Sequence, residues 1–283
     1  MQNNKTIEKN NLELIDTHCH INIMVKKNFD TSLTQEHLAD AKKIVDQAIA
    51  HRVTRIINVG TSVIESKNCV LLAQTFNSCF AAVGIHPNDC TSEWKNEVKE
   101  IEKLILNDRE KRIVAIGECG LDFHYPDFDV ERQKDAFRAQ IELALNYDLP
   151  LIVHTRAAAQ ETLGVIDEFR DKKLRGVIHC FSEDLAFAQE CIARSFVLGI
   201  GGTLTYPKNE ELRRLFSTVA LESIILETDA PYLPIQPMRG KENHPMYIDD
   251  IAKFLAQLRN ETIEKIAYQT TFNSLQLFST ISE

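Results

Sequence analysis

A (β/α)8 barrel of the TIM type is the fold this sequence predicts, on three observations. Short apolar, β-branched runs recur along the 283 residues, and each is followed by a helix-length amphipathic stretch. No Pro-rich spacer, low-complexity tract or internal linker interrupts the alternation.

The strand candidates are LELID at 12–16, RIINVG at 55–60, FAAVGIH at 80–86, RIVAIGE at 112–118, LPLIVH at 149–154, GVIHCF at 176–181, FVLGIGG at 196–202 and SIILETD at 223–229. Runs this uniformly apolar suit parallel strands covered on both faces, where solvent-facing strands would alternate. Helices are predicted over 35–51, 62–77, 93–107, 130–147, 157–172, 183–195 and 207–220, with a closing pair near 245–258 and 261–278. Thr91 or Ser92 is a candidate start for one, Ser182 with Glu183 for another, and Pro207 suits a first helical turn. A doubly wound open sheet would show the same periodicity, which carries no information about closure. The absence of GxGxxG after the first strand weakens its dinucleotide-binding form.

One barrel domain is expected over residues 12–283, since such barrels use about 250 residues, with a poorly ordered polar tail at 1–11. The first ten residues lack the apolar core of a secretory signal, and no later run approaches the ~20 apolar residues of a membrane span. A soluble, cytoplasmic protein with no membrane association and no obligate protein partner is therefore expected. Seven cysteines without a CxxC pair fit reduced thiols, and Cys19, Cys119 and Cys180 are assigned to core packing. The formal net charge of −9 argues against a generic duplex-DNA binder. A phosphodiester substrate stays open, because a metal centre can supply positive charge locally.

Chemistry-bearing residues fall at the strand ends. His18, His20, Glu118, His86, His154, His179 and Asp229 all lie at or just past the C-terminal end of a predicted strand, and in a barrel those ends face one mouth. His18 and His20 are two apart in an extended chain, so both imidazoles can grip one ion. Glu118, between glycines at the end of an apolar strand, is costly to bury unpaired. A carboxylate bridging two cations removes that cost; the alternative is a buried ion pair with an arginine. His154 and His179 together read as nitrogen ligands for a second metal, although either alone would read as a hydrogen-bonded core histidine. Asp229, stopped by Pro231, reads as a general base toward water, its plainer alternative being a turn cap. Two divalent ions, chosen among Mg, Mn, Zn, Co and Fe, would activate water and stabilise both oxygens of a phosphodiester displacement.

In order, Asp16-Thr17-His18-Cys19-His20, Gly84-Ile85-His86-Pro87, Gly117-Glu118-Cys119-Gly120-Leu121-Asp122, Ile152-Val153-His154-Thr155-Arg156, His179-Cys180-Phe181-Ser182 and Glu227-Thr228-Asp229-Ala230-Pro231-Tyr232-Leu233 resemble the motif series of the TatD deoxyribonuclease family. The resemblance implies an amidohydrolase-type barrel, with His18, His20, Glu118 and Asp229 around one metal and Glu118, His154 and His179 around the other. It also implies metal-dependent removal of nucleotides from a 3′ end, with DNA, single-stranded or at 3′ ends, as partner. His86 matches a family position near the site and is assigned to the substrate phosphate or leaving group, with structural support as its alternative. Arg156 could fork onto a phosphate, or form a surface ion pair. Arg239 resembles the basic loop after the last strand, supporting that loop or a phosphate. Glu183, Asn88 and His244 depart from the family pattern; none is a proposed ligand, so they bear on substrate preference.

Two other readings compete. The same site could hydrolyse an ester or amide, including removal of a D-amino acid from a mischarged tRNA, an activity that the resemblance to TatD-like proteins also implies. Stacking aromatics at the mouth would favour nucleic acid, and Phe123, Tyr125, Phe181, Tyr206 and Tyr232 are candidates. A non-catalytic metal scaffold is disfavoured by the presence of both Glu118 and Asp229.

Overall fold

Eight parallel strands pair in sequence order in the computed structural model, which describes residues 12–282. They are β1 (Leu14–Cys19), β2 (Val53–Val59), β3 (Cys79–Val83), β4 (Ile113–Asp122), β5 (Leu151–Arg156), β6 (Gly176–Ile178), β7 (Phe196–Ile200) and β8 (Ile224–Leu226). Each overlaps a predicted run. The order shows no reversal of the kind a doubly wound sheet requires, and the chain returns from β8 to β1, giving the TIM-type barrel. The segment 1–11, expected to be poorly ordered, lies outside the described residues.

Ten helices surround the sheet: α1 (Ile21–Lys26), α2 (Gln35–Ala50), α3 (Val63–Thr75), α4 (Trp94–Asn107), α5 (Val130–Asn146), α6 (Ala159–Asp167), α7 (Leu185–Ala193), α8 (Glu210–Thr218), α9 (Ile248–Arg259) and α10 (Ile263–Leu277). The one-and-a-half-turn α1 has no counterpart in the sequence reading; it is too short to express a period. Three predicted helix starts are corrected. The N-cap of α4 is Glu93, with Thr91 Oγ1 accepting its backbone N–H at 3.0 Å. For α7 it is Asp184, whose carboxylate accepts from Phe187 N at 2.8 Å, so Ser182 and Glu183 stay outside the helix. Pro207 precedes α8 in a turn closed by the Asn209 N–H to Tyr206 O at 3.0 Å.

Every strand sends apolar side chains to two places. Ile15, Ile57, Phe80, Val114, Ile152, Val177 and Ile225 meet inside the barrel, sealed at its base by Leu277, Phe278 and Ile281 from the C-terminal end. Their neighbours along the strands, Leu14, Ile56, Cys79, Ile116, Val153 and Ile178 among them, pack outward under the helices. The interior is therefore a filled core, and only the opposite end is open to chemistry. On β1 strict alternation from Ile15 would turn His18 and His20 outward. The pairing of β1 with β2 shifts register between Asp16 and Cys19, which reverses the parity, and Cys19 packs in the outer layer instead.

β1 and β8 share no extended ladder. Their seam is closed by His20 N to Ala230 O at 2.7 Å and Asp229 N to His18 O at 2.8 Å, just past the end of β8. Beneath these bonds the buried Asp16 carboxylate accepts the Thr228 N–H at 2.9 Å and the Thr228 hydroxyl at 2.5 Å, while Thr17 Oγ1 donates to Leu226 O at 2.9 Å. Burial, countered only partly by the Thr228 donors, pushes the Asp16 carboxyl up to about 8. Asp16→Ala leaves the Thr228 N–H without an acceptor in a closed space. It should lower unfolding free energy by about 1–3 kcal/mol, read from the urea midpoint at unchanged slope.

Candidate active site

The mouth holds a cavity of about 380 Å³ lined by His20, His86, Glu118, His154, His179 and Asp229, with Asp122, Asn88 and Arg156 on its walls. Glu118 stands at the centre. Its Oε2 is 3.4 Å from His18 Nε2 and 4.0 Å from His20 Nε2, while its Oε1 is 2.9 Å from His154 Nδ1, 3.5 Å from His86 Nε2 and 3.9 Å from His179 Nε2. Asp229 Oδ1 closes the first group, at 3.4 Å from His20 Nε2 and 3.7 Å from His18 Nε2. The six ligand candidates read from the sequence are thus in one place, and the arginine partner considered for Glu118 is absent among the described residues.

Local backbone explains the convergence. Gly120 has φ +135, and a Cβ there would lie 2.0 Å from His154 O, so only glycine lets β4 approach β5 closely enough to set Glu118 beside His154. Asp229 leaves the strand direction at φ 59, which turns its carboxylate into the mouth and its N–H onto His18 O. His20 Nδ1 is 2.8 Å from Val59 O, a pure acceptor, so that nitrogen carries the proton and, in the neutral ring, Nε2 presents a lone pair to the cavity; burial lowers the ring's pKa, but Asp229 and Glu118 outweigh it and raise it.

His86 is oriented the other way. Its Nδ1 accepts the Asn88 N–H at 3.1 Å, which leaves the proton on Nε2 in the neutral ring, and burial lowers its pKa to about 4. His86 therefore offers the cavity a donor, although it lies within ligand distance of Glu118 and His154.

Burial pushes the Glu118 carboxyl up, but the facing His86, His154 and His18 outweigh it and hold it well below the usual carboxylate range. Burial likewise lowers His154 and His179, yet carboxylates prevail. Asp122 and Glu118 raise His154 to about 9, and Glu227 with Glu118 and Asp229 raises His179 to about 10.

This donor set fits divalent metal. Groups of ligand-type atoms lie within 4.8 Å of one another at His18, His20 and Glu118, and at His86, Glu118 and His154. The His18 and His20 Nε2 atoms sit 3.1 Å apart, and His18 Nδ1 is buried without a partner. Mixed imidazole and carboxylate donors suit Zn, Mn, Fe or Co better than Mg.

Asp122 closes the Gly117–Asp122 motif, which by itself assigns it no role. Its Oδ2 is 3.2 Å from His154 Nε2 and accepts Asn88 Nδ2 at 2.9 Å. Glu118, Gly120 and Asp122 are two apart along β4, and that spacing was the signal that could have found it. Asn88, one of the departures, thus hydrogen-bonds a carboxylate where an acidic side chain would repel it. His244 does not line the cavity; its Nδ1 accepts Met246 N at 3.1 Å at the start of a short 3-10 turn. Arg239 lies over the Tyr206 ring at 4.6 Å and supports the loop, away from the cavity lining. Cys19 and Cys119 are core residues, whereas Cys180 is only half-buried, at φ 46 beside His179.

Of the five aromatics proposed for the mouth, Phe181 and Tyr206 are buried and Phe123 stacks on Phe128. Tyr125 and Tyr232 are exposed and line the cavity, joined by Phe29, a lone aromatic in a polar loop that sequence periodicity could not flag.

A parallel barrel with this mouth defines the class: a metal-dependent hydrolase. Residues 15–279 match the family described as TatD related DNase. An uncharacterised metal-dependent hydrolase of Bacillus subtilis is 32% identical over 265 residues, covering 94% of this chain and 98% of the relative. A protein named 3′-5′ ssDNA/RNA exonuclease TatD from Citrobacter rodentium is 32% identical over 250 residues, covering 87% and 94%. The crystal structure of a TatD homologue from Escherichia coli superposes with a TM-score of 0.84 at 29% identity, covering 94% of this chain and 98% of that one. The chain belongs to the TatD-related DNase family. Among the described residues, no helix is long and apolar enough to cross a membrane.

The raised histidines give the metal-free protein a definite pH response. Folded pKa values near 9 and 10 lie above the ordinary value of 6.5, so this stabilisation is complete below about 6.5 and lost as pH rises through 9 and 10. With chelator present, the melting temperature should fall between pH 7 and 10, and replacing both residues, His154→Asn with His179→Asn, should flatten that fall.

Proposed function

We propose that the protein is a two-metal 3′-5′ exodeoxyribonuclease acting on single-stranded DNA ends. The observation that carries this reading is the division of Glu118: one oxygen faces His18 and His20, the other His154 and His179. In it, His18, His20, Asp229 and Glu118 hold one ion, and Glu118, His154 and His179 the other. Bound there, divalent ions supply Lewis acidity toward water and the phosphoryl group.

The chain's own residues do the rest. Asp229, buried yet held ionised by His20, His179 and His18, takes the proton of the attacking water on its carboxylate. His86 donates from Nε2 to a phosphoryl or leaving oxygen. Arg156, at the end of β5 and 5.7 Å over the Tyr125 ring, forks onto the phosphate. Arg156 is the one Lys or Arg among the cavity-lining residues, against four carboxylates, Asp89, Glu118, Asp122 and Asp229. In the metal-free protein the protonated rings of His154 and His179 offset part of that negative charge; where a ring gives up its proton to hold an ion, the ion would supply the positive charge a phosphodiester needs.

Five large aromatics are exposed among the described residues, and three of them, Phe29, Tyr125 and Tyr232, border this cavity. Exposed rings around a phosphate site suit stacking on the unpaired bases of a strand end, a contact that duplex pairing would hide. The exonuclease name of the Citrobacter relative agrees with this substrate. Free cysteines throughout the described residues fit a reducing compartment, and we place the enzyme in the cytoplasm.

End-labelled single-stranded DNA is the first test, with Mg, Mn, Co or Zn returned singly to chelator-stripped protein. Shortening from the 3′ end is expected, and Asp229→Asn should lower kcat by about 10²–10⁴-fold; no cleavage with any metal rejects the nuclease reading. Tyr125→Ala or Phe29→Ala should weaken single-stranded DNA by about 1–3 kcal/mol per lost stack while sparing a small chromogenic phosphodiester. Equal losses on both substrates would remove the stacking role.

A further inference from the structure

A further carboxylate lies behind the centre and has no part in the chemistry above. Glu227 directly follows β8 and is 1% exposed. It is absent from the residues lining the cavity. Its Oε1 lies 2.9 Å from His179 Nδ1 and accepts the Cys180 N–H at 2.5 Å. Among the described residues no lysine or arginine pairs with it. The fold makes room for it on the neighbouring strand: a Cβ at Gly199 of β7 would stand 2.3 Å from Glu227 Oε2. His18 stacks on His179 with ring centroids 3.5 Å apart, and His18, His179 and Glu227 bring ligand-type atoms within 4.8 Å of one another.

Three facts separate the possible roles of this carboxylate. It sits on the far side of the His179 ring from the cavity, so substrate does not reach it. Its Oε1 accepts a backbone N–H and stands against Nδ1 in a close ion-pair contact at 2.9 Å, the ring N–H not aligned on the oxygen, and no other group competes for Nδ1. The opposite nitrogen, Nε2, is the one that faces Glu118 Oε1 at 3.9 Å and Asp229 Oδ1 at 3.8 Å.

We propose that Glu227 is a positioning residue for the metal centre. It holds the His179 proton on Nδ1 and sets the ring plane, so that Nε2 presents its lone pair to the ion; by stacking, the same contact steadies His18. A carboxylate behind a ligating imidazole both orients it and raises its basicity. The proposal rests on the reading of His179 as a metal ligand, and the test separates the two.

Co²⁺ alone is titrated calorimetrically into chelator-stripped, full-length protein carrying Glu227→Leu, Glu227→Gln, Gly199→Ala or His179→Ala, with metal-free melting curves for each. Glu227→Leu should weaken Co²⁺ binding by about 10–100-fold. Glu227→Gln, which keeps the accepting oxygen and loses the charge, should fall between Leu and the parent. Wild-type affinity in Glu227→Leu, or a Gln variant no better than Leu, overturns the proposal. If Glu227→Leu shows no cooperative melt, Gly199→Ala decides: its methyl displaces the carboxylate and should weaken Co²⁺ in the same sense, and unchanged binding overturns the idea. Wild-type affinity in His179→Ala removes the ligand reading itself; a weakened His179→Ala beside an unchanged Glu227→Leu removes only the role of Glu227.

Discussion

The barrel is joined where the ends of its chain of strands meet, and one buried side chain ties that seam by two bonds. Asp16 on β1 takes both the N–H and the hydroxyl of Thr228, 212 residues later, in a space closed to water. Parallel neighbours elsewhere are held by ladders, but β1 and β8 meet through an isolated bridge, the Thr17 hydroxyl on Leu226 O and the backbone bonds of His20 and Asp229. Those last two bonds belong to candidate site residues. The closure that completes the barrel therefore also sets the separation of Asp229 from His18 and His20. The group is tolerated in the interior because its oxygens are matched by short local donors, although burial prevails over them and drives the carboxyl toward its neutral form.

The mouth works under an opposite constraint. Glu118 and Asp229 are taken out of water with imidazoles packed against them, and the imidazoles answer by holding protons at His154 and His179. Ligand binding by a histidine requires that proton to leave, so a cation entering the site replaces positive charge that the metal-free protein already carries on its rings. The surrounding hydrogen bonds have a direction. Val59 O and Glu227 each face the Nδ1 of a ring whose Nε2 looks inward, whereas the Asn88 N–H gives His86 the reverse polarity. Polarity of this kind distinguishes lone pairs from donors within one cluster of chemically identical side chains.

The rim is supported from below by a second buried charge. Glu65 on α3 accepts from Lys26 at 2.7 Å, Asn22 at 2.7 Å, Asn68 at 3.1 Å and the Asp30 N–H at 2.7 Å. Lys26 also donates to Thr31 O at 2.7 Å. Because partners surround both charges, their burial is tolerable, and the loop that carries Phe29 to the mouth is tied at Lys26 on one side and at Asp30 and Thr31 on the other.

The sequence by itself determined the eight strands, the order of the elements and the gathering of His18, His20, Glu118, His154, His179 and Asp229 at one end, because continuous apolar runs and strand-end positions are local properties of the chain. It carried Asp16, Asp122 and Glu227 inside legible motifs without roles, since what each does depends on a partner on another strand: Thr228, His154 and His179. The starts of α4, α7 and α8 fall a residue or more past the candidates read from the sequence, at α7 because Asp184 supplies the cap and at α4 and α8 because a turn precedes a helix with no side-chain cap. Tertiary structure alone decided that β1 shifts register to turn two histidines inward, that Tyr125 and Tyr232 are exposed while Phe181 and Tyr206 are buried, and that Phe29 joins the rim. Each of those outcomes is a matter of which surfaces meet across the barrel, and no periodicity within a single segment records it.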